Sequence, residues 1–422
     1  MAKAARYLPG ANTGNMNIDP KRPLVLREGR GSRVWDVSGK EYIDYLMGSG
    51  PMVLGHAHPA VVAAVVEAVE KGSTFFATSE QAVLLAEEIV KAVPCAQKVR
   101  FTTSGTDACF QCLRIARSFR KRDKILKFEG GYHGTSDYAL MSVTPALNAL
   151  RDFPEPVPNS AGVPQAIRET VLIAPYNDVE TTTVIIEKHH DELAAVIVEP
   201  MQRILSPKPG FLRALREVTA HYQIPLIFDE VVTGFRLAYG GAQEYYGVTP
   251  DLAALGKIAG GGYPLAVIAG GEEIMSVYDQ AVTDADSYVP QIGTLNGNPI
   301  ACAAGLATLA ELRKEGTYQR LHATGRRLRD ALERLCREAE VPMQPSGEDP
   351  TFGFYFTDQP ITDYRSTLRA NATMMAQFNS ILLEQGILKS WPDKFYPSLA
   401  HTPEDVDRTI QVFASTIERL KG

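Results

Sequence analysis

The chain has no run of apolar residues approaching the roughly 18 that a membrane helix needs. Its opening Met-Ala-Lys-Ala-Ala-Arg-Tyr-Leu-Pro-Gly lacks the apolar core of a secretory signal, so no membrane partner and a cytoplasmic location are expected. Cysteine is sparse and odd in number, five in 422 residues, which argues against a disulfide framework. Cys109 and Cys112 have CxxC spacing, but no second pair follows at zinc-finger distance. They lie in a helical pattern and read as buried thiols, so no metal is expected. Charge of one sign is also missing: 43 Lys and Arg stand against 49 Asp and Glu, for a net charge of -6. The one dense basic run, Arg117, Arg120, Lys121, Arg122 and Lys124, reads as the solvated end of a helix, so nucleic acid is not expected as a partner. No repeat or low-complexity stretch interrupts the chain. No Gly-x-Gly-x-x-Gly turn opens a helix after the first strand, which weighs against a dinucleotide.

What remains is a globular composition, 45% hydrophobic and 22% charged, in a chain too long for one core. From about residue 60 to 310, short β-branched or apolar runs alternate with helical patterns, which predicts an α/β fold with a mostly parallel central sheet. Predicted strands are Lys98–Thr103, Lys124–Phe128, Ala194–Val198, Pro225–Phe228 and Leu265–Ala269, each ending near Gly, Asp, Glu or Pro. Ligands of open α/β sheets gather at such strand ends. Beyond about residue 310 the pattern changes to charged helices, with Tyr318–Ala339, a strand at Gly353–Thr357 and a closing helix Pro403–Leu420. The expected division is an N-terminal segment, 1–59, packing with the small domain, a large domain, 60–310, and a smaller α+β domain, 311–422.

Within that frame, Leu255-Gly-Lys257-Ile-Ala-Gly-Gly-Gly262 places one lysine in an apolar, glycine-rich setting. Poor solvation lowers the pKa of an ammonium, and a neutral amine can condense with an aldehyde. A plain lysine at a loop mouth is the alternative. A Walker phosphate loop is not, because Asp251 and Ile258 stand where Gly and Ser or Thr are needed. Upstream, Ile224-Pro-Leu-Ile-Phe-Asp229-Glu-Val231 runs a carboxylate into the end of a buried strand. Such a group needs a cationic partner, and a protonated pyridine nitrogen would supply one while turning the ring into an electron sink. A helix cap is the competing role for Asp229. Strand alternation puts Val231 on the side of Asp229 and turns Glu230 away. Ser104-Gly105-Thr106-Asp107 reads as a helix N-terminus, either a seat for a phosphate dianion or a simple cap of the helix Ala108–Phe119. In Phe128-Glu-Gly-Gly-Tyr132-His133-Gly134 the ring of Tyr132 can stack on a flat ligand or serve only in packing. His56 and His58 read as structural.

These pieces come in a recognisable order: Gly50-Pro-Met-Val-Leu-Gly-His56, Ser104-Gly-Thr106, Phe128 to Gly134, Val198-Glu-Pro200, Phe228-Asp-Glu-Val-Val-Thr-Gly-Phe-Arg236, Gly240 to Gly247, Leu255-Gly-Lys257 and Gly293-Thr-Leu-Asn-Gly-Asn-Pro299. Together they resemble the class III aminotransferases, and within them the glutamate-1-semialdehyde aminomutase-like branch, over nearly the whole chain. The resemblance implies the fold type I architecture of transferases that depend on pyridoxal 5'-phosphate (PLP). It implies a Schiff base on Lys257, Asp229 on the pyridine nitrogen, and Val231 and Tyr132 on the two ring faces. Ser104, Gly105 and Thr106 would hold the phosphate. Thr294 matches a residue that reaches the phosphate of the neighbouring subunit, which implies a homodimer with shared active sites. The substrates implied are a small-molecule amino donor and a carbonyl acceptor, with the freed Lys257 amine moving the proton.

The chain also departs from the pattern. Gly48-Ser49-Gly50-Pro51 stands where the aminomutases have Ser-Trp-Gly-Pro, so Ser49 removes an aromatic wall from the substrate side. Thr103 and Asp107 flank Ser104-Gly-Thr106 where that pattern has Asn and Glu, and Gly14 replaces an arginine of the β-amino-acid enzymes. Arg203-Ile204 replaces a Gly-Glu pair, which makes Arg203 a candidate seat for a substrate carboxylate. The expectation is an aminotransferase. The alternatives are glutamate-1-semialdehyde 2,1-aminomutase or a related PLP isomerase or racemase, and a nucleotide-binding module without catalysis.

Overall fold

The computed structural model describes residues 2–15, 24–390 and 394–421. The chain forms two compact units. One comprises Ala60–Glu315 with Thr362–Leu368, and the other Met1–Pro59, Gly316–Ile361 and Arg369–Gly422.

The first unit is built on a seven-stranded sheet in the order Lys98–Thr102, Ala266–Gly270, Leu252–Leu255, Leu226–Glu230, Leu193–Val198, Lys124–Phe128, Val171–Ala174. Ala266–Gly270 runs antiparallel to both neighbours, and every other pairing is parallel. Leu193–Val198 is buried at every residue, as a central strand covered on both faces must be, and its unbroken apolar run follows from that. Helix Gly105–Arg120 lays Cys109, Cys112, Leu113 and Ala116 into the core beside Ile125, Ile197 and Ile268. Two four-residue strands, Val171–Ala174 and Leu252–Leu255, were not expected from the sequence; each is too short to display a period.

The basic run is only partly a solvated helix end. Lys121 closes the helix in the left-handed region, φ 55°, but Arg120 reaches inward to the carbonyls of His190, Leu193 and Tyr222. Arg117 lies 4.0 Å from the ring centre of Tyr138 and donates to the Asp123 carbonyl at 2.8 Å. These arginines close loops. All five cysteines are buried free thiols. Among the described residues, no helix is long and apolar enough to cross a membrane.

The second unit has a four-stranded sheet, Leu26–Arg30, Arg33–Asp36, Glu41–Tyr45, Ile387–Lys389, and a hairpin of Gln344–Glu348 with Thr351–Tyr355. Helices Thr317–Glu338, Ala372–Glu384 and Pro403–Lys421 bury their apolar faces on a cluster that includes Phe352, Phe354, Phe378 and Phe413. Phe378 sets its edge against Phe354 at 5.1 Å and is fully buried, so truncating it to alanine costs about 3–5 kcal/mol. In the same unit His56 Nε2 contacts Asp44 Oδ2 at 2.7 Å, which fits the structural reading of His56.

Candidate active site

The first unit gathers its polar side chains where the parallel strands end. Asp229, next to last in Leu226–Glu230, is 6% exposed. Its Oδ1 accepts the Val231 N–H at 3.1 Å, and its Oδ2 contacts His133 Nδ1 at 2.8 Å. The strand stops at Glu230, so Val231 opens a turn rather than continuing the alternation. Glu230 does face away: its carboxylate takes Thr233 Oγ1 and the Ala242 N–H, and burial pushes it up to about 7.

Val231 is the hub. A Cβ built on Gly105 would stand 2.8 Å from Val231 Cγ1, and one on Gly256 would stand 3.4 Å from the same methyl. Glycine at 105 is therefore a packing requirement, with the helix N-terminus pressed against the valine. Ser104 caps that helix by accepting the Asp107 N–H at 3.2 Å, and its hydroxyl donates to Asp107 Oδ2 at 2.8 Å. Thr106 packs under Gly134, whose Cβ would collide with it at 2.3 Å, so the helix start and the 129–134 loop touch. The unpaired N–H groups of a sixteen-residue helix begin here, half exposed, and favour an anion.

Lys257 follows strand Leu252–Leu255 by two residues. It is half-buried, with φ +50°, and begins the short turn Lys257–Gly260. That left-handed conformation costs a residue with a Cβ roughly 1–2 kcal/mol, a strain of the kind concentrated at functional sites. Gly261 makes the turn possible; a Cβ there would meet the Ala304 carbonyl oxygen at 2.5 Å.

Tyr132 is 41% exposed, and the adjacent His133 is buried. The loop is fixed by Glu199, just past strand Leu193–Val198, whose Oε1 accepts the Tyr132 N–H at 2.7 Å. Glu199 Oε2 accepts the Arg203 N–H at 3.2 Å, and the Arg203 guanidinium lies 5.4 Å from the Tyr132 ring centre. Cys109 completes the buried cluster: its ligand atom and those of His133 and Asp229 lie within 4.8 Å of one another. Burial first, and Asp229 second, hold the Cys109 thiol well above its usual range, so it stays protonated.

The sequence-predicted residues thus fall into two sets. Ser104, Gly105, Thr106, Tyr132, Asp229, Val231 and Lys257 lie in one unit on neighbouring strand ends and loops, with Arg203 beside Tyr132. Thr294, also in that unit, is exposed on a loop between Ile292 and Leu295. Ser49 belongs to the other unit, exposed at φ +69°. Three contacts escaped the sequence reading: His133 on Asp229, Glu199 on the Tyr132 backbone, and Arg365, which grips Glu129 at 2.7 and 3.1 Å. Only the acid at 199 had a signal, its place directly after an apolar strand.

These residues fit a flat ligand with a basic ring nitrogen and an anionic tail. The Asp229 carboxylate is buried, yet its hydrogen-bond partners are an imidazole and a backbone N–H, neither a fixed cation. A protonated ring nitrogen answers that need. The half-exposed helix N-terminus, pressed on Val231, suits the anionic end.

The sequence matches the family model of class-III aminotransferases over residues 16–417. It is 40% identical to glutamate-1-semialdehyde 2,1-aminomutase 2 of Brevibacillus brevis over 419 residues, 97% of this chain and 95% of that protein. The fold is similar to that of an omega-transaminase from Sphaerobacter thermophilus, with TM-score 0.94, 36% identity, and coverage of 100% of this chain and 97% of the other. A β-phenylalanine aminotransferase from Variovorax paradoxus matches with TM-score 0.87 and 31% identity, covering 99% and 92%.

Proposed function

The chain belongs to the class-III aminotransferase family, and from that premise we propose that it is a cytoplasmic enzyme transferring an amino group from an amino-acid-like or amine donor to a separate carbonyl acceptor, with PLP as its cofactor. The observation that carries the reading is Val231, against which Gly105 of the helix N-terminus and Gly256 of the lysine turn both close, two residues after the buried Asp229. One side chain thereby marks the middle of a site with an anion-binding end, a carboxylate and an amine around it.

Bound PLP supplies an aldehyde carbon for the amine and a ring that withdraws electrons from it. Lys257 would hold the cofactor through its amine and, when that amine is free, would be the base that moves the proton to and from the substrate carbon. Asp229 would face the ring nitrogen and hold a proton there, with His133 fixing its Oδ2. Ser104, Gly105 and Thr106 bind the phosphate through N–H and hydroxyl groups. Val231 and Tyr132 confine the ring on its two faces. Arg203, held beside Tyr132, seats a substrate carboxylate, and Ser49 stands where the aminomutase pattern has a tryptophan.

The working unit is a homodimer in which Thr294 completes the partner's phosphate site. Its support is the exposed apolar surface on the same unit: Phe75, Phe76 and Val83, with Ile292 and Leu295 either side of Thr294. Large apolar side chains left exposed in this number fit burial at an interface.

A second reading, the intramolecular aminomutase, has the 40% identical relative in its favour. The two separate in one experiment. The holoenzyme receives either glutamate 1-semialdehyde alone or a 15N-labelled donor with an unlabelled keto acceptor. Label passing to the acceptor supports transfer between molecules. Rapid formation of 5-aminolevulinate from the semialdehyde, with no label exchanged, establishes the aminomutase. In either case borohydride should fix the pyridoxyl group on Lys257, and its recovery on another lysine would refute the site.

A further inference from the structure

Lys127 lies within strand Lys124–Phe128 and is completely buried. Its Nζ donates to three backbone carbonyls, those of Gly131 at 3.0 Å, Ala139 at 2.9 Å and Met141 at 2.6 Å. All three belong to the loop that leaves this strand and carries Tyr132 and His133, so one nitrogen ties the beginning of the loop at Gly131 to its later residues Ala139 and Met141. Three carbonyls need three N–H groups, which an ammonium has and a neutral amine does not. Burial draws that ammonium down to about 7, and the carboxylates of Glu199 and Asp229 hold it up against burial.

The charge is arranged with its neighbours in mind. Three adjacent strands of the sheet, the middle one through the residue just past its end, supply three charged side chains, one to each of three consecutive residues of the loop. Lys127 takes the Gly131 carbonyl, Glu199 the Tyr132 N–H, and Asp229 the His133 ring. A loop needing only apolar support would be served by leucine or methionine here. A lysine that gives up water to bind three carbonyls fixes position, at the cost of desolvation.

Resting on the cofactor reading above, we propose that Lys127 is a positioning residue for the cofactor: by holding the carbonyls of Gly131, Ala139 and Met141 it sets where Tyr132 meets the ring and where His133 meets Asp229. Lys127 touches neither substrate nor ring. Its loss should leave the phosphate end and Lys257 in place while loosening the ring's surroundings, so catalysis suffers more than binding. Misplacement of about 1 Å in such a site can cost on the order of 10²-fold in rate.

The test compares wild type, Lys127→Met and Lys127→Ala as holoenzymes. Lys127→Met should bind cofactor and melt as a folded protein, yet show a weakened circular dichroism band at the cofactor's visible absorbance. Its kcat should fall roughly 10–100-fold with KM changed little. Lys127→Ala keeps the carbonyl cage but leaves it vacant, so n-propylammonium should restore band and kcat saturably. The same amine given to wild type and Lys127→Met controls for its own reaction with the cofactor. A Lys127→Met enzyme with wild-type dichroism and kcat overturns the proposal. So does a failure of both variants to fold even with cofactor and amine present, which would assign Lys127 to the fold alone. Wild-type protein that binds no PLP would overturn the cofactor reading itself, and this inference with it.

Discussion

His133 and Asp229 in one unit, and His56 and Asp44 in the other, form imidazole–carboxylate contacts of 2.8 and 2.7 Å, and both acids are almost wholly buried. They differ in what each group has left to give. Asp44 Oδ1 accepts two backbone N–H groups, from Leu46 at 2.7 Å and Met47 at 3.0 Å, while its Oδ2 takes His56. That carboxylate folds a turn. Asp229 accepts one backbone N–H, from its own turn, and His133 Nε2 is buried with no hydrogen-bond partner among the described residues. Capacity held in reserve at a strand end, rather than the pairing itself, distinguishes a carboxylate that can serve a ligand from one that is used up by the backbone.

The sharpest way to break this contrast is Asp229→Asn. The amide cannot stabilise a ring cation, so kcat should fall about 10²–10³-fold with little change in melting temperature. Single-turnover rates near wild type would remove Asp229 from the chemistry. The other region should answer in stability. His401, stacked on Tyr45 at 4.2 Å, accepts the Ser398 N–H on Nδ1 and faces the Asp44 carbonyl with Nε2. Both ring nitrogens are used by the neutral form, and burial pulls His401 down to about 4. Between pH 6.5 and 4 the unfolded chain therefore takes up a proton that the folded chain refuses. The contribution is complete above pH 6.5 and is lost as pH falls toward 4, a change of about 3 kcal/mol. Denaturant titrations of wild type and His401→Gln across that range should show the variant with the shallower slope, and equal slopes would refute the assignment.

Asp44→Asn tests the carboxylate that is used up. It should cost about 1–3 kcal/mol in denaturant stability and leave kcat within a few fold of wild type. A large loss of turnover without unfolding would erase the contrast. His56→Gln should be milder still, about 0.5–1.5 kcal/mol, because a side-chain amide can still donate to Asp44 Oδ2. A cost equal to that of Asp44→Asn would show that the imidazole, rather than the backbone N–H groups, holds the turn.

How much of this was legible depended on distance along the chain. Asp229, Lys257 and Ser104 stand at boundaries that the sequence marks locally, where an apolar run meets an acid, a glycine or a cap. Lys127 left no mark, since Lys-Ile-Leu-Lys-Phe reads as an ordinary strand and its carbonyl partners belong to a loop whose path is set by tertiary contacts. The N-terminal sheet was missed for a related reason: Leu26–Arg30 is mostly exposed and carries no apolar alternation, and Glu41–Tyr45 finds its parallel neighbour only at Ile387–Lys389. Val231 was expected on the Asp229 side by alternation. The backbone turns there, and contact with Gly105 and Gly256, rather than the pleat, gives Val231 its place.

The short segment Thr362–Leu368 interleaves the synthesis of the two units. It belongs to the unit made mostly of Ala60–Glu315, although the stretch Gly316–Ile361 of the other unit lies between the two. Glu129 is nearly buried, and Arg365, its ion-pair partner, lies 236 positions downstream. At a synthesis rate of about 5–20 residues per second, that carboxylate waits roughly 10–50 s on the ribosome for its guanidinium. A nascent chain halted after Glu315 would hold all seven strands of the sheet and still lack Arg365 for Glu129 and the Tyr364 hydroxyl for the Pro145 carbonyl. The unit that holds the seven-stranded sheet is therefore finished late, and its loop beyond Phe128 closes only after the chain has gone on to build a second stretch of the other unit.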